Sequence, residues 1–315
     1  MFNTIIGKDI SAVKKFLEEG ETLGIPTETV YGLAANALNE DAVLKIFSVK
    51  NRPHFDPLIV HTHSKDAIKN YVEEIPALAE KLIDAFMPGP VTVLLKKKNI
   101  IPDLVTSGLD NVAIRIPNHA LTLELLKQLD FPLAAPSANP FGYISPTTSH
   151  HVFDQLQGRI PYILDGGSTE VGVESTIVGF EEDEVIVYRL GGLAIEEIER
   201  VIGEVKINLN ESSNPKSPGM LKSHYAPRKR LVIGESVNQL TGNIGVIAFD
   251  EYVDVIELKN QILLSPKGDL NEAAKNLFAA MRKLDASDVE KIIAVKFPEV
   301  GLGRAINDRL KRASS

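Results

Sequence analysis

What most restricts the fold of this 315-residue chain is an alternation that runs to about Gly203. Short apolar runs, too brief for helices, are interleaved with longer segments whose apolar residues recur at every third or fourth position. The runs at 58–61, 91–95, 112–116, 162–164, 176–178 and 185–188 read as strands, and 42–49, 77–86, 121–129 and 195–202 as helices. The opening MFNTIIGKDISAVKKFLEEG reads as a strand and then an amphipathic helix; it lacks the basic start and apolar core of a signal peptide. Elements interleaved in this way bury their apolar sides by laying helices on a sheet. The expected class is therefore an α/β or α+β layer architecture, not a bundle or a sandwich.

Residues 204–228 break the pattern. Asn, Ser, Pro and Gly dominate and the apolar periodicity stops, so 205–228 reads as a linker between a first domain (1–204) and a smaller second one (229–315). His224 and Tyr225 sit inside this linker; such a pair either staples it to a domain or touches a ligand. Beyond it, strands are expected at 231–233, 244–249 and 292–297, with a long helix over 270–284. The tail GLGRAINDRLKRASS reads as a glycine turn and a basic helix. Gly301 and Gly303 alone do not make a dinucleotide fingerprint.

Composition removes several function classes. There is no cysteine, so disulfides, thiolate zinc sites and thiol nucleophiles are out, which fits a reducing cytoplasm. No apolar run approaches the roughly 20 residues of a membrane span. A net charge of −8, no tryptophan and 6% aromatics argue against a broad nucleic-acid footprint and leave open only a local basic groove. Walker-type GxxxxGK[ST], HExxH and GxSxG motifs do not occur. His61 and His63 would share a strand face as a metal pair, but no third ligand accompanies them, so no metal site is expected.

The richest stretch is GIPTETVYGLAANALNEDAVLKIFSVKNRPHFDPLIVH, residues 24–61. A strand runs into Pro26, which turns the chain. Three polar side chains follow, and Gly32 permits close backbone approach. Asn39 caps a helix that delivers Lys50 and Arg52 to a proline-bounded loop, and a short strand ends in His61. Arg115 closes the apolar strand NVAIR; burying it requires an anion, either a structural carboxylate or a ligand's carboxylate or phosphate. The loop APSANPFGYISPT offers Ser137, Asn139 and Ser145 with backbone N–H groups to an oxyanion, or serves as a rigid connector. GVESTIV brings Ser175 and Thr176 to a strand mouth, and Arg189 ends another strand. Singly, these residues read as turn formers, helix termini and core polar groups. Together they suit recognition of a polyanion beside a carboxylate, near strand ends where α/β proteins bind ligands.

PTETVYGL, the K-x-RP…PLIVH segment, PSAN…G…SPT, and ESTIV followed by an arginine resemble the YrdC-type family. With PGMLKSHYAP between the halves and GLGRAINDRL near the end, the resemblance is to its two-domain form and covers essentially the whole chain. It implies a YrdC-type open twisted sheet with helices, followed by a Rossmann-like α/β domain. The implied activity condenses L-threonine, bicarbonate or CO2, and ATP (with Mg²⁺) into L-threonylcarbamoyladenylate and pyrophosphate. That product is handed to a tRNA threonylcarbamoyl-transferase complex. By the same resemblance, Thr29, His61, Arg115, Ala135 and Ser175 hold L-threonine. Arg52, Asp56, Asn111, Ser137, Ser145, Arg189 and Tyr225 hold ATP, and Lys50 and Arg52 act on the phosphates. Asp56 stands where many relatives carry asparagine, and a carboxylate near phosphate there is unfavourable unless a metal or another cation intervenes. Tyr225 implies that the linker closes over the nucleotide. Other classes remain: an RNA-binding module, which the net charge disfavours, so that weak or no direct tRNA binding is expected; a carbamoyl-transfer component of a larger enzyme, whose zinc-finger cysteines are missing; and a non-catalytic translation or regulatory factor.

Overall fold

A computed structural model describes residues 1–53, 56–181, 184–209, 224–234 and 243–315. In chain order the first part comprises β1 (Ile5–Gly7), α1 (Ile10–Glu18), β2 (Leu23–Ile25), β3 (Gly32–Asn36), α2 (Glu40–Lys50), β4 (Ile59–His61), α3 (Lys65–Ile68), α4 (Ala77–Phe86), β5 (Val91–Lys96), α5 (Asp103–Thr106), β6 (Asn111–Arg115), α6 (Ala120–Lys127), β7 (Leu133–Ala134), α7 (Ser149–Leu156), β8 (Tyr162–Leu164), β9 (Thr176–Glu181), β10 (Glu184–Arg189), α8 (Ile195–Ile202) and β11 (Lys206–Ile207). The second comprises β12 (Arg230–Ile233), β13 (Ile244–Ala248), β14 (Gln261–Leu263), α9 (Leu270–Ala286), β15 (Lys291–Ala294) and α10 (Gly303–Ala313). Among the described residues these make an eleven-stranded mixed sheet, β1-β8-β2-β3-β7-β4-β6-β5-β9-β10-β11, and a four-stranded parallel sheet, β12-β15-β13-β14.

The large sheet has two different faces. Val60, Val93, Val112 and Ile114 point into the main core with Val43, Ile46 and Phe47 of α2. Alternation sends Ile59, Leu94, Ala113, Ile177, Ile186 and Tyr188 to the opposite face, where they form a separate apolar cluster. His61 and Arg115 are register partners on β4 and β6 and continue that second face at its end.

Several elements differ from the reading of the sequence. β3, the run GLAAN, is small and poor in β-branched residues; its pairing with β2 and β7 overrides weak strand propensity. α7 was unexpected because SHHVFDQL carries little apolar periodicity. It starts where the Thr148 hydroxyl accepts from His151 N–H (3.2 Å) and buries Val152 and Leu156. β14 is too short to stand out. β11 falls inside the expected linker but pairs parallel with β10, so the large sheet extends past residue 204. Most of the remaining linker, 210–223, lies outside the described residues.

Candidate active site

The PTET turn is built by one hydroxyl. Thr27 Oγ1 accepts from the N–H groups of Thr29 and Val30 (both 3.2 Å) and donates to Val30 O (2.6 Å), a hydroxyl turn that faces Thr29 inward. Gly32 follows because a Cβ there would sit 3.1 Å from the Ala135 Cβ, where β3 meets the incoming loop. That loop is pinned by Leu33 N–H on Pro136 O (2.7 Å) and Ala138 N–H on Tyr31 O (2.8 Å).

α2 begins at Asn39, whose side chain accepts from Ala42 N–H, and ends at Asn51 in the left-handed region (φ 53°). This reversal turns Arg52 inward. Its Nε donates to Asp56 O (3.1 Å), Nη2 donates to Pro57 O (2.9 Å), and Nη2 lies 2.7 Å from Asp56 Oδ2. The cation that Asp56 requires is therefore Arg52 itself. Arg115 has the same logic: Nη2 pairs with Glu28 at 2.6 Å, Nη1 donates to Thr29 Oγ1 (2.9 Å) and Nε to Gly89 O (3.1 Å). Of the two readings left open for this arginine, the structural carboxylate is present, and it is Glu28.

Arg189 reaches the site through a β-bulge. The β9–β10 register shifts between Val187 and Arg189, so Val187 stays in the core while Arg189 crosses to the face of Ile177. Without the shift, strand alternation would place both on one side. Its Nε donates to Ser175 O and its Nη2 to Ser175 Oγ, both at 3.0 Å.

These side chains meet in one cleft. Thr29, His61, Arg115, Ala135 and Ser175 line it together with Arg52, Ser137, Arg189 and Tyr225. Tyr225, at φ 65°, stacks on Phe278 of α9 (5.5 Å, 26°), and His224 packs edge-on against Phe141 (5.7 Å, 88°). The aromatic pair of the linker is thus both a staple and a pocket wall.

Four expected residues sit elsewhere. Lys50 is buried beside the cleft, with Nζ donating to the carbonyls of Ser137 (2.5 Å) and Asn139 (2.6 Å); it holds the loop instead of lining the cleft. Asp56 is the buried counter-ion of Arg52. Ser145 Oγ donates to Glu174 Oε1 (2.6 Å), behind the wall. Asn111 is exposed at the far end of β6 from Arg115, about 13 Å away along the strand. It lies in a second hollow with Leu94, Gly179 and Tyr188, on the same sheet face. Asn139 also turns inward, its amide donating to Pro140 O (2.9 Å) and Tyr143 O (2.8 Å). Thr176 is spent on Leu193. β4 stops at His61, and His63 opens onto a separate cavity, so the two do not pair.

Reading the sequence missed three residues. Glu28 and Glu174 were inside the quoted motifs without a role. Arg309, on α10, is fully buried and donates from Nε to Glu174 Oε2 (2.8 Å) and from Nη2 to Leu190 O (2.8 Å), 5.1 Å over the Tyr225 ring. A buried glutamate between two arginines was detectable only as a demand for balance.

Burial sets the protonation of the site. Desolvation, and then Arg115, hold His61 at about 3, so it is neutral near pH 7. Desolvation likewise holds His224 at about 3. Desolvation and the Arg52 charge pull Lys50 well below its ordinary value. Against the desolvation that would raise it, Arg309 and Arg189 hold Glu174 down at about 2. Among the described residues no group of three or more His, Asp or Glu could hold a metal ion; Glu174 in the pocket, and Glu28 and Asp56 beside it, each pair with an arginine. Nor is any described helix long and apolar enough to cross a membrane.

Comparison with known proteins gives matches along the chain. A family model described as "Telomere recombination" (Sua5_yciO_yrdC) matches residues 15–191. One described as the C-terminal domain of threonylcarbamoyl-AMP synthase matches 193–315. The threonylcarbamoyl-AMP synthase of Pyrococcus abyssi is 40% identical over 95% of this chain and 92% of its own length. That of Bacillus subtilis is 39% identical over 97% and 92%. The crystal structure of P. abyssi Sua5 complexed with L-threonine superposes with a TM-score of 0.91 at 38% identity, covering 99% of this chain and 97% of that one.

Proposed function

This chain belongs to the two-domain Sua5/YrdC family, and on that premise we propose that it is an L-threonylcarbamoyladenylate synthase. It joins L-threonine, CO2 or bicarbonate, and the adenylyl group of ATP, releasing pyrophosphate, and supplies an intermediate for tRNA modification. The observation that carries the reading is one cleft shared by Thr29, His61, Arg115, Ala135 and Ser175 on one side and Arg52, Ser137, Arg189 and Tyr225 on the other. A near relative holds L-threonine.

In this reading the amino acid lies against the joined surface of the PTET turn and Arg115, whose guanidinium suits a carboxylate. The threonine amine adds to CO2, losing a proton. His61 does not keep that proton at neutral pH, because its own affinity for it is too low. A carbamate oxygen then attacks the α-phosphorus, the bond to the β-phosphate oxygen breaks, and pyrophosphate leaves. Arg52 and Arg189, already fixed by backbone carbonyls, meet the charge without reorganising. Lys50 contributes by fixing the loop that presents Ser137. The nucleoside extends over the apolar floor of Ile59, Ala113 and Tyr188 toward Asn111, which gives that distant residue its place. Mg²⁺ enters as part of the ATP substrate. The product passes to a tRNA-modifying complex in the cytoplasm.

Pyrophosphate release tests this directly. With ATP, Mg²⁺, bicarbonate and threonine all present it should proceed, and it should stop when threonine or ATP is left out. Release at the same rate without threonine would refute the assignment.

A further inference from the structure

The cleft contains a carboxylate that should not favour a polyphosphate. Glu174 lines the same wall as Arg189, and the two are close enough that each shifts the other's ionisation. Left to itself, a buried glutamate next to an arginine pairs with it. Here the glutamate is drawn the other way. Ser145 Oγ donates to Oε1 at 2.6 Å and Arg309 Nε donates to Oε2 at 2.8 Å, so both oxygens are occupied from behind the wall. Arg309 is in turn fixed by Leu190 O at 2.8 Å and by Asp308, whose Oδ2 is 2.7 Å from Nη1. It also lies against Tyr225, the linker residue in the wall. Arg309 comes from the last helix, at the opposite end of the chain from the PTET turn.

We propose that Arg309 is a positioning residue for the nucleotide: it holds the Glu174 carboxylate back from Arg189, so that Arg189 meets phosphate instead of glutamate. This rests on the ATP-dependent reading above. It gives the C-terminal domain a defined task in the first domain's chemistry. The helix that ends the chain neutralises a negative charge inside the triphosphate cleft. The amino acid end of the cleft, at Thr29 and Arg115, is bonded to neither Glu174 nor Arg309.

Binding of a non-hydrolysable β,γ-imido ATP analogue with Mg²⁺, and separately of L-threonine, by the full-length wild type, Arg309→Met, Arg309→Lys and Glu174→Gln/Arg309→Met tests this. Arg309→Met should weaken analogue binding about tenfold or more, the loss of roughly one charge-assisted contact, with threonine affinity within about twofold. The double variant, whose residue 174 no longer carries charge, should recover most of that loss. A merely structural arginine would lower threonine affinity as far as analogue affinity, and that result also overturns the proposal. Arg309→Lys keeps a cation beside Glu174 and should bind the analogue within about threefold of wild type; it carries the test if the Met variant does not fold. Analogue affinity unchanged in Arg309→Met, a double variant no better than the single, or Arg309→Lys as weak as Arg309→Met each overturns the proposal. Failure of the wild type to bind the analogue overturns the functional reading, and the proposal with it.

Discussion

Replacing Arg115 separates two tasks of one guanidinium. Arg115 and Glu28 approach to 2.6 Å with side chains only 4% exposed, and among the described residues no other group compensates the Glu28 carboxylate. Arg115→Met therefore leaves a buried carboxylate without its counter-charge, which costs about 3–5 kcal/mol. That is a large share of the roughly 5–15 kcal/mol by which folded domains are stable. Removing both members, in Glu28→Met/Arg115→Met, exchanges a buried pair for apolar groups of similar volume and should recover most of the loss. Activity should behave differently. Both variants lack the cation facing the amino acid, so both should lose threonine-dependent pyrophosphate release, even where the double variant folds normally. Urea unfolding followed by circular dichroism reads the first effect, and pyrophosphate release against threonine concentration reads the second. If single and double variants unfold at the same urea concentration, Arg115 is not the compensation for Glu28. If the double variant saturates with threonine as wild type does, the cation is not at the amino acid.

Other consequences follow from the sheet face and from the buried histidines. A Cβ at Gly179 would lie 2.6 Å from Tyr188 Cε2, so Gly179→Ala should cost about 1–3 kcal/mol by overpacking. It should also raise the KM for ATP more than that for threonine; an unchanged melting temperature and KM would show that the floor is not packed this way. Asn111→Ala removes an exposed amide at the far end of that floor. It should leave stability unchanged and raise the KM for ATP, and an unaltered KM would exclude Asn111 from the nucleotide. His61 and His224 titrate near 3 in the fold against an ordinary value of 6.5. The unfolded chain thus takes up protons first as the pH falls. Their contribution is complete above about pH 6.5 and is lost progressively toward pH 3, at up to about 2.7 kcal/mol per pH unit for two groups. Urea midpoints that stay level from pH 7 to pH 5 would contradict this.

What the sequence disclosed, and what it concealed, divides along the range of the interactions. The order of strands and helices could be read because each long element carries its own periodicity: Val43, Ile46 and Phe47 mark α2 whatever they pack against. The strand-end positions of His61, Arg115 and Arg189 could be read for the same reason. Which carboxylate balances which cation could not. Glu28 lies 87 residues from Arg115 and Glu174 lies 135 from Arg309, and no local pattern registers either pair. Nor does one show that Arg189 faces the cleft. Alternation from Val187 predicts the core side, and only the register shift against β9 reverses it. β3 and β11 were hidden likewise, since both are held by neighbours that propensity does not see. The chemistry of this cleft depends on those non-local pairings. Arginines buried in a cleft are tolerable only if carboxylates neutralise them, and in the proposed ATP-binding role they are useful only if those carboxylates are kept from competing. Asp56 does the first for Arg52 from within its own loop. In the role proposed for Arg309, Glu174 is kept back by an arginine 135 residues away, so the pairing of distant sequence regions and the electrostatics of the site are one problem.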